Sequence, residues 1–120
     1  MKILLVEDDK FIRDSFSERL RNNKHEVSSA EDGGEAIDKI TTDNFDVVIS
    51  DIGIPRVDGI EVLRFTKKNK PKTKVIMMSS YVPRKIIEEL RKLGADQYIE
   101  KSSFLKNIVA VLDKVILKRK

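Results

Sequence analysis

The sequence has no cysteine and only one histidine in its 120 residues. The lack of cysteine excludes disulfide bonds, thiolate zinc sites and cysteine nucleophiles, and it is typical of proteins that work in the reducing cytosol. A single histidine cannot build a histidine-rich metal cluster. We therefore predict a cytoplasmic protein whose chemistry depends on neither thiolates nor imidazole clusters.

Long hydrophobic runs are also absent. The longest uninterrupted apolar run covers only residues 108–112, whereas a membrane-spanning helix needs about 20 apolar residues. The first residues, in which three acidic side chains follow a four-residue apolar run, do not resemble a signal peptide. Because the length is that of one domain and 40% of the residues are hydrophobic, we expect a single compact domain with no membrane association.

The two halves of the chain carry opposite net charge. Residues 1–60 contain 8 basic and 14 acidic residues, whereas residues 61–120 contain 16 basic and 6 acidic ones, so the total is +4. This asymmetry predicts that the two halves have different roles or face different ways. A basic loop at residues 67–74 and a basic tail at residues 118–120 come without an aromatic platform or a known nucleic-acid-binding module. Direct binding of nucleic acid is therefore disfavoured.

Short apolar runs alternate with helical patterns along the whole chain. Strands are predicted at residues 3–6, 25–30, 45–50, 75–78 and 97–99. Each is followed by a segment with apolar residues at helical spacing, and such β–α pairs form parallel sheets through right-handed crossovers. We predict an α/β fold, a flavodoxin-like doubly wound five-stranded parallel sheet in the order 2-1-3-4-5, with five helices on its two faces. The domain covers residues 1–117, and residues 118–120 form the basic tail.

The helical spacing also predicts which side chains face the core. The predicted inward-facing residues are Phe11, Ile12, Phe16 and Leu20 in the first helix, Ile60 and Leu63 in the third (with Val62 and Phe65 at its margin), Ile86, Ile87 and Leu90 in the fourth, and Phe104, Leu105, Ile108, Val109, Leu112, Val115 and Ile116 in the fifth. Met77 and Met78 lie on a predicted central strand, so we expect them to pack in the core.

Polar side chains follow four of the predicted strands. The first strand ends at Glu7, Asp8 and Asp9, the third at Asp51, the fourth at Ser79 and the fifth near Lys101. In open α/β sheets, ligands bind outside the carboxyl ends of the strands, where the strand order reverses. The sequence therefore predicts a site at this edge.

The residue types at this edge favour metal-assisted phosphoryl chemistry. Converging carboxylates repel one another unless a cation lies among them, and oxygen ligands with room for water suit Mg²⁺. A carboxylate beside such a metal can attack phosphorus and form an aspartyl phosphate, while Ser79 and Lys101 can bind the phosphoryl oxygens. Alternatively, Asp8 or Asp9 caps the following helix, but a cap does not account for Asp51, Ser79 and Lys101.

These motifs, in this order and spacing, resemble the receiver domain of bacterial two-component response regulators, and the chain is similar to the single-domain chemotaxis regulator. The resemblance covers residues 2–117. The matching segments are residues 3–9 (Ile-Leu-Leu-Val-Glu-Asp-Asp), residues 47–51 (Val-Val-Ile-Ser-Asp) with Pro55 and Asp58-Gly59 after them, residues 75–80 (Val-Ile-Met-Met-Ser-Ser), and residues 93–101 (Leu-Gly-Ala-Asp-Gln-Tyr-Ile-Glu-Lys).

The resemblance implies a phosphorylation-controlled signalling switch. Asp51 is then the phosphoacceptor for a sensor histidine kinase or a phosphotransfer protein, and Mg²⁺ is held by Glu7, Asp8, Asp51 and the backbone carbonyl of Gly53. Lys101 bridges to the phosphoryl group. The resemblance further implies no external substrate, so the only catalysis expected is phosphorylation and dephosphorylation of the chain itself.

The resemblance also implies how the signal leaves the site. Ser79 moves to bind the phosphoryl group, and Tyr98 follows by changing its rotamer. Together they alter the surface of the fourth helix, fifth strand and fifth helix, which binds a downstream effector protein or output domain. By analogy with other phosphorylated side chains, the phosphoryl group adds a charge of about −1.5 to −2. This charge shifts the equilibrium between two conformations of the switch.

Several features depart from the family or leave alternatives open. Where the family often has a proline preceded by a cis peptide bond, this chain has Ser102, which predicts either a strained loop or a trans bond. One alternative function is a receiver-like protein-interaction module that is never phosphorylated. A flavodoxin is rejected because Glu7, Asp8 and Asp9 repel a bare phosphate, and an aspartyl phosphatase is rejected because Gly53 stands where a second acid is required.

Overall fold

The computed structural model describes residues 1–53, 58–81 and 83–117. Its elements in chain order are β1 (Lys2–Val6), α1 (Lys10–Asn22), β2 (Glu26–Ala30), α2 (Gly33–Thr42), β3 (Val47–Asp51), α3 (Gly59–Asn69), β4 (Lys74–Ser79), α4 (Arg84–Lys92), β5 (Gln97–Glu100), a 3₁₀ turn (Lys101–Ser103) and α5 (Phe104–Leu117). Pro55, the side chain of Ile116 and the predicted basic tail at residues 118–120 lie outside the described residues.

The five strands form one parallel sheet in the order β2-β1-β3-β4-β5. The central pair β1 and β3 runs in register from Ile3 opposite Val47 to Val6 opposite Ser50. Both strands are buried on both faces, as expected for parallel strands covered by helices on each side. Within the described residues there are five α-helices, so the predicted fold class and strand order are confirmed.

The helices divide between the two faces of the sheet. One core cluster joins α1 and α5 to the sheet and includes a stacked pair, Phe16 and Phe104, with ring centroids 3.9 Å apart. The other cluster joins α2, α3 and α4 to the opposite face. Met77 and Met78 are both fully buried, one in each cluster, which confirms their predicted place in the core. Within the described ranges, none of the helices combines the length and apolar character needed to cross a membrane.

Two predicted core residues lie on the surface. Phe11 is 82% exposed and Leu105 is 48% exposed, so both predictions were wrong. The buried stripe of α1 follows the spacing Phe16 to Leu20, with Ile12 partly buried against it. Phe11 directly precedes Ile12, and because successive residues of a helix point about 100° apart, its side chain points away from the buried stripe. Leu105 directly follows the buried Phe104, so its side chain points away from the buried face of α5 in the same way.

The inward face of α3 is also shifted by one position. Val62, predicted at the margin, is fully buried together with Leu63, whereas Ile60 is only partly buried against the core. The buried residues Gly59, Val62, Leu63 and Thr66 have the i, i+3, i+4, i+7 spacing of one helix face. In α4 only Leu90 of the three predicted residues is fully buried.

The basic segment at residues 67–74 is a loop, as the sequence predicted, only at residues 70–73. Helix α3 continues to Asn69 and β4 already begins at Lys74. Lys67 and Lys74 both pair with Asp96, at 2.8 and 3.9 Å, and the Asp96 carboxylate also accepts a hydrogen bond from the Val75 amide at 2.8 Å. Part of the basic charge therefore stabilises the start of β4.

Candidate functional site

Three carboxylates converge at the carboxyl edge of the sheet. Glu7, Asp8 and Asp51 each offer an oxygen, and the three oxygens lie within 4.8 Å of one another. The register of β1 and β3 explains this, because Val6 lies opposite Ser50 and the next residues along both strands are therefore neighbours. Glu7 is fully buried and Asp51 is 7% exposed, whereas Asp8 is open to solvent. Oxygen ligands of this kind, with one side open to water, fit Mg²⁺.

A largely buried lysine side chain neutralises part of this cluster. The Nζ atom of Lys101 lies 2.5 Å from Oε1 of Glu7 and 2.6 Å from Oδ2 of Asp51. Burial opposes the charged form of Lys101, but hydrogen bonds to Asp51 and then Glu7 outweigh it, so the pKa of Lys101 is raised. Burial also raises the pKa of Glu7, although Lys101 and the Asp9 amide favour its ionised form. The Lys101–Ser102 peptide bond is trans, which settles the alternative left open by the sequence.

The turn between β1 and α1 is held by two side chains. Asp9 is the N-cap of α1, and its Oδ1 accepts a hydrogen bond from the Ile12 amide at 3.0 Å. Arg13 donates from Nη1 to the carbonyl oxygens of Glu7 and Asp8, at 2.8 and 3.2 Å. Of the three acids after β1, Asp9 is therefore the cap, and Glu7 and Asp8 belong to the cluster. Arg13 is not among the predicted site residues, because its only signal in the sequence is a basic residue about one turn into α1.

Two glycines border Asp51 for different reasons. The Gly53 amide donates to Oδ1 of Asp51 at 3.2 Å, and a Cβ atom at Gly53 would meet nothing within 4 Å. At Gly59, however, a Cβ atom would collide with the carbonyl oxygen of Asp51 and lie 2.7 Å from the Cα atom of Ile52. In the sequence, Asp58-Gly59 is notable only as part of the resemblance. The structure shows that Gly59 is the residue that lets α3 start against Asp51.

Within the described residues, Ser79 and Tyr98, the two predicted switch residues, make no hydrogen bond to the carboxylates. The Ser79 hydroxyl accepts a hydrogen bond from the Tyr81 amide at 3.1 Å and donates to the Tyr81 carbonyl at 3.2 Å. The Tyr98 side chain is half-buried, and its hydroxyl has no hydrogen-bond partner among the described residues. Burial raises the pKa of that hydroxyl, and the neighbouring Ser79 side chain opposes the rise.

The structure therefore brings together five of the seven predicted site residues: Glu7, Asp8, Asp51, Gly53 and Lys101. Ser79, at the end of β4, faces its own loop instead. Chemically, the cluster offers a carboxylate nucleophile, hard oxygen ligands for a divalent cation and an ammonium group that can bind an anion.

Comparison with known proteins identifies the class to which this fold and site belong. The family model of the response regulator receiver domain matches residues 3–113. The chain belongs to this family of two-component signalling domains, as the resemblance predicted.

Individual proteins that are similar to this chain support the assignment to this family. The chain is 32% identical over 121 residues to the response regulator MprA of Mycolicibacterium vanbaalenii, covering 99% of this chain and 51% of the relative. It is similar to the chemotaxis protein CheY4 of Vibrio cholerae, with 28% identity and a TM-score of 0.88 over 95% of this chain and 97% of the other. It is also similar to TrrA of Thermotoga maritima in complex with Mg²⁺-BeF, with 32% identity and a TM-score of 0.85 over 95% and 97%. The chain spans about half the length of the curated relatives it matches.

Proposed function

We propose that this chain is a phosphorylation-controlled switch whose Asp51 accepts a phosphoryl group from a histidine kinase or a phosphotransfer protein. The observation that carries the proposal is the position of the Asp51 carboxylate, between an oxygen cluster suited to a divalent cation and the ammonium group of Lys101. An oxygen of Asp51 attacks the phosphorus of the donor phosphohistidine. The new P–O bond forms as the P–N bond breaks, and the imidazole leaves with the bonding electron pair.

The neighbouring residues stabilise the transferred group. Glu7, Asp8, Asp51 and the Gly53 carbonyl would hold Mg²⁺, which would offset the negative charge of the phosphoryl oxygens. Lys101 is already 2.6 Å from Asp51, so it needs little movement to donate to the product. In water-excluded sites such fixed charges are worth more than they are in bulk solvent. That TrrA is described in complex with Mg²⁺-BeF supports this assignment of the metal.

The phosphoryl group then changes the surface that partners bind. Ser79 moves to donate to a phosphoryl oxygen, and Tyr98, whose buried hydroxyl has no partner in the described structure, changes its rotamer. The surface formed by α4, β5 and α5 responds and binds a downstream effector protein or output domain. In this proposal the chain has no external substrate, acts in the cytoplasm and does not itself bind nucleic acid, and residues 1–117 form the receiver domain.

Labelling with a small phosphodonor tests the proposal. Acetyl phosphate with Mg²⁺ adds one phosphoryl group, seen by intact-protein mass spectrometry, and hydroxylamine removes it. Asp51→Asn abolishes the addition, whereas the control Asp38→Asn, at an exposed position on α2, does not. Full labelling of Asp51→Asn contradicts the assignment. No labelling of the wild type, together with no change of the Gly53 amide NMR signal on adding Mg²⁺, favours the alternative of a non-phosphorylated interaction module.

A further inference from the structure

The outer edge of β2 is a free edge of the sheet. In the described part of the chain, β1 is the only strand bonded to β2. The Glu26 amide donates to the carbonyl oxygen of Met1 at 2.9 Å, so the backbone groups of Glu26 face β1. Successive residues of a strand direct their backbone groups to opposite sides. The amide and carbonyl groups of Val27 and Ser29 therefore point outward, away from β1.

Two basic side chains cover these outward carbonyl groups. Arg21, in the last turn of α1, donates from Nη2 to the carbonyl oxygen of Val27 at 3.3 Å. Lys39, in the last turn of α2, donates from Nζ to the carbonyl oxygen of Ser29 at 2.5 Å. Because α1 and α2 lie on opposite faces of the sheet, the two side chains reach the edge from both sides. The acceptors that a further strand would use are thus already bonded to cations.

We propose that the outer edge of β2 is a pairing surface for β2 of a second copy of this chain, and that Arg21 and Lys39 keep it closed. A free strand edge is a template for pairing with another chain, and charged side chains, lysine above all, are a common means of blocking it. Removing both cations frees the two carbonyl acceptors beside two outward amides. It also removes like charges that would face one another across the contact between the copies.

The outward groups of β2 are complementary to themselves. In an antiparallel pair with its two-fold axis at Ser28, Val27 of each copy lies opposite Ser29 of the other. Residues paired in this way exchange both of their N–H···O bonds. Glu26 then lies opposite Ala30 of the second copy, so the acidic side chains do not face each other. The edge therefore fits a second copy of β2 without a clash of like charges along the strand.

The double variant Arg21→Met with Lys39→Met tests the closure, because methionine keeps an apolar stem but has neither donors nor charge. Sedimentation velocity of the whole chain, without Mg²⁺ or a phosphodonor, measures association as the concentration rises. We expect the double variant to dimerise at a concentration at least about tenfold below any at which the wild type does. The control Arg64→Met with Lys68→Met makes the same change at exposed positions of α3 and should behave as the wild type. A double variant that associates no more than the control overturns the proposal.

Hydrogen exchange followed by NMR locates the contact. In the dimer of the double variant, the amides of Val27 and Ser29 should exchange at least about tenfold more slowly than in the wild type. The Ser28 amide, which faces β1, should change little. Dimerisation without protection of the Val27 and Ser29 amides places the contact elsewhere and overturns the proposal.

A proline at the edge gives a second test of the same contact. Ser29→Pro, added to the double variant, should restore the monomer because proline has no N–H group to donate. An edge strand tolerates proline where the missing N–H group faces solvent, and circular dichroism checks that the variant keeps the fold. A folded triple variant that still dimerises as strongly as the double variant contradicts pairing through this edge.

Discussion

The ammonium nitrogen of Lys101 lies 2.6 Å from Oδ2 of Asp51, although fifty residues separate the two in the chain. The same nitrogen contacts Oε1 of the fully buried Glu7 at 2.5 Å. One cation therefore neutralises two carboxylates, of which Glu7 is fully buried and Asp51 is almost so. Removing one partner of a buried ion pair is costly, because the other charge remains buried without compensation. The stability of the fold therefore depends on which charges are present at the site.

Replacing Lys101 with methionine should lower the free energy of unfolding by about 3 kcal/mol in the absence of Mg²⁺. Adding Mg²⁺ should recover part of the loss, because a divalent cation among the carboxylates replaces the missing charge. Urea denaturation followed by circular dichroism, with and without Mg²⁺, measures both effects. The control Lys10→Met breaks an exposed pair with Asp14 and should cost at most about 0.5 kcal/mol. A loss at Lys101 that is the same with and without Mg²⁺ would contradict a metal site here.

Replacing Gly59 with alanine should disturb both the fold and the site. The added methyl group meets the carbonyl of Asp51 and the Cα atom of Ile52, and neither can move without shifting the backbone of the phosphoacceptor. We expect a loss of about 2–3 kcal/mol, the cost of overpacking a filled space, and slower labelling by acetyl phosphate. For stability, Gly53→Ala is the matched control, since nothing lies within 4 Å of its Cβ position. Equal stability of the two variants in urea denaturation would argue against this contact.

Tyr98→Phe should leave the unphosphorylated protein as stable as the wild type or more stable by up to about 1 kcal/mol. The reason is that the buried hydroxyl has no hydrogen-bond partner within the described structure, and an unsatisfied buried polar group costs free energy. Thermal and urea denaturation give the difference. Tyr81→Phe, at an exposed side chain, is expected to change little. A clear loss of stability in Tyr98→Phe would mean that the hydroxyl makes a stabilising contact.

His25 should titrate below its ordinary value of 6.5. Burial lowers its pKa first, and the N-terminal ammonium of Met1, 3.1 Å from Nδ1, lowers it further, whereas Asp113 raises it. Because the chain has one histidine, its ring protons give a single titration curve by NMR. Asp113→Asn should move the pKa lower still. A wild-type pKa at or above 6.5 would rule out this environment.

The same shift has a consequence for stability. The folded protein binds the His25 proton more weakly than the unfolded chain does, so the contribution of His25 to stability is complete above pH 6.5 and is lost as the pH falls through the folded-state pKa. The free energy of unfolding should therefore decrease on acidification through this range. His25→Gln should flatten that part of the profile, as measured by urea denaturation at a series of pH values.

Much of the fold was predictable because its determinants are local. Short apolar runs that end in polar residues marked the strands of a buried parallel sheet, and the strand order brings the ends of β1 and β3 together. The sequence therefore predicts that Glu7, Asp8, Asp51 and Lys101 form one site. The same local reasoning misplaced Phe11 and Leu105, because a residue in the first turn of a helix can be apolar like the buried stripe and still point about 100° away from it.

By itself, the sequence determined the class of fold, the family and the residues delivered to the carboxyl edge of the sheet. Only the tertiary structure decided that Lys101 bridges Glu7 and Asp51, that Gly59 must lack a side chain, and that Ser79 is bonded to Tyr81. These relationships depend on distances between elements that are remote in the chain or on the path of a loop. Periodicity reports which face of an element is buried, but packing against the other elements sets what each side chain touches.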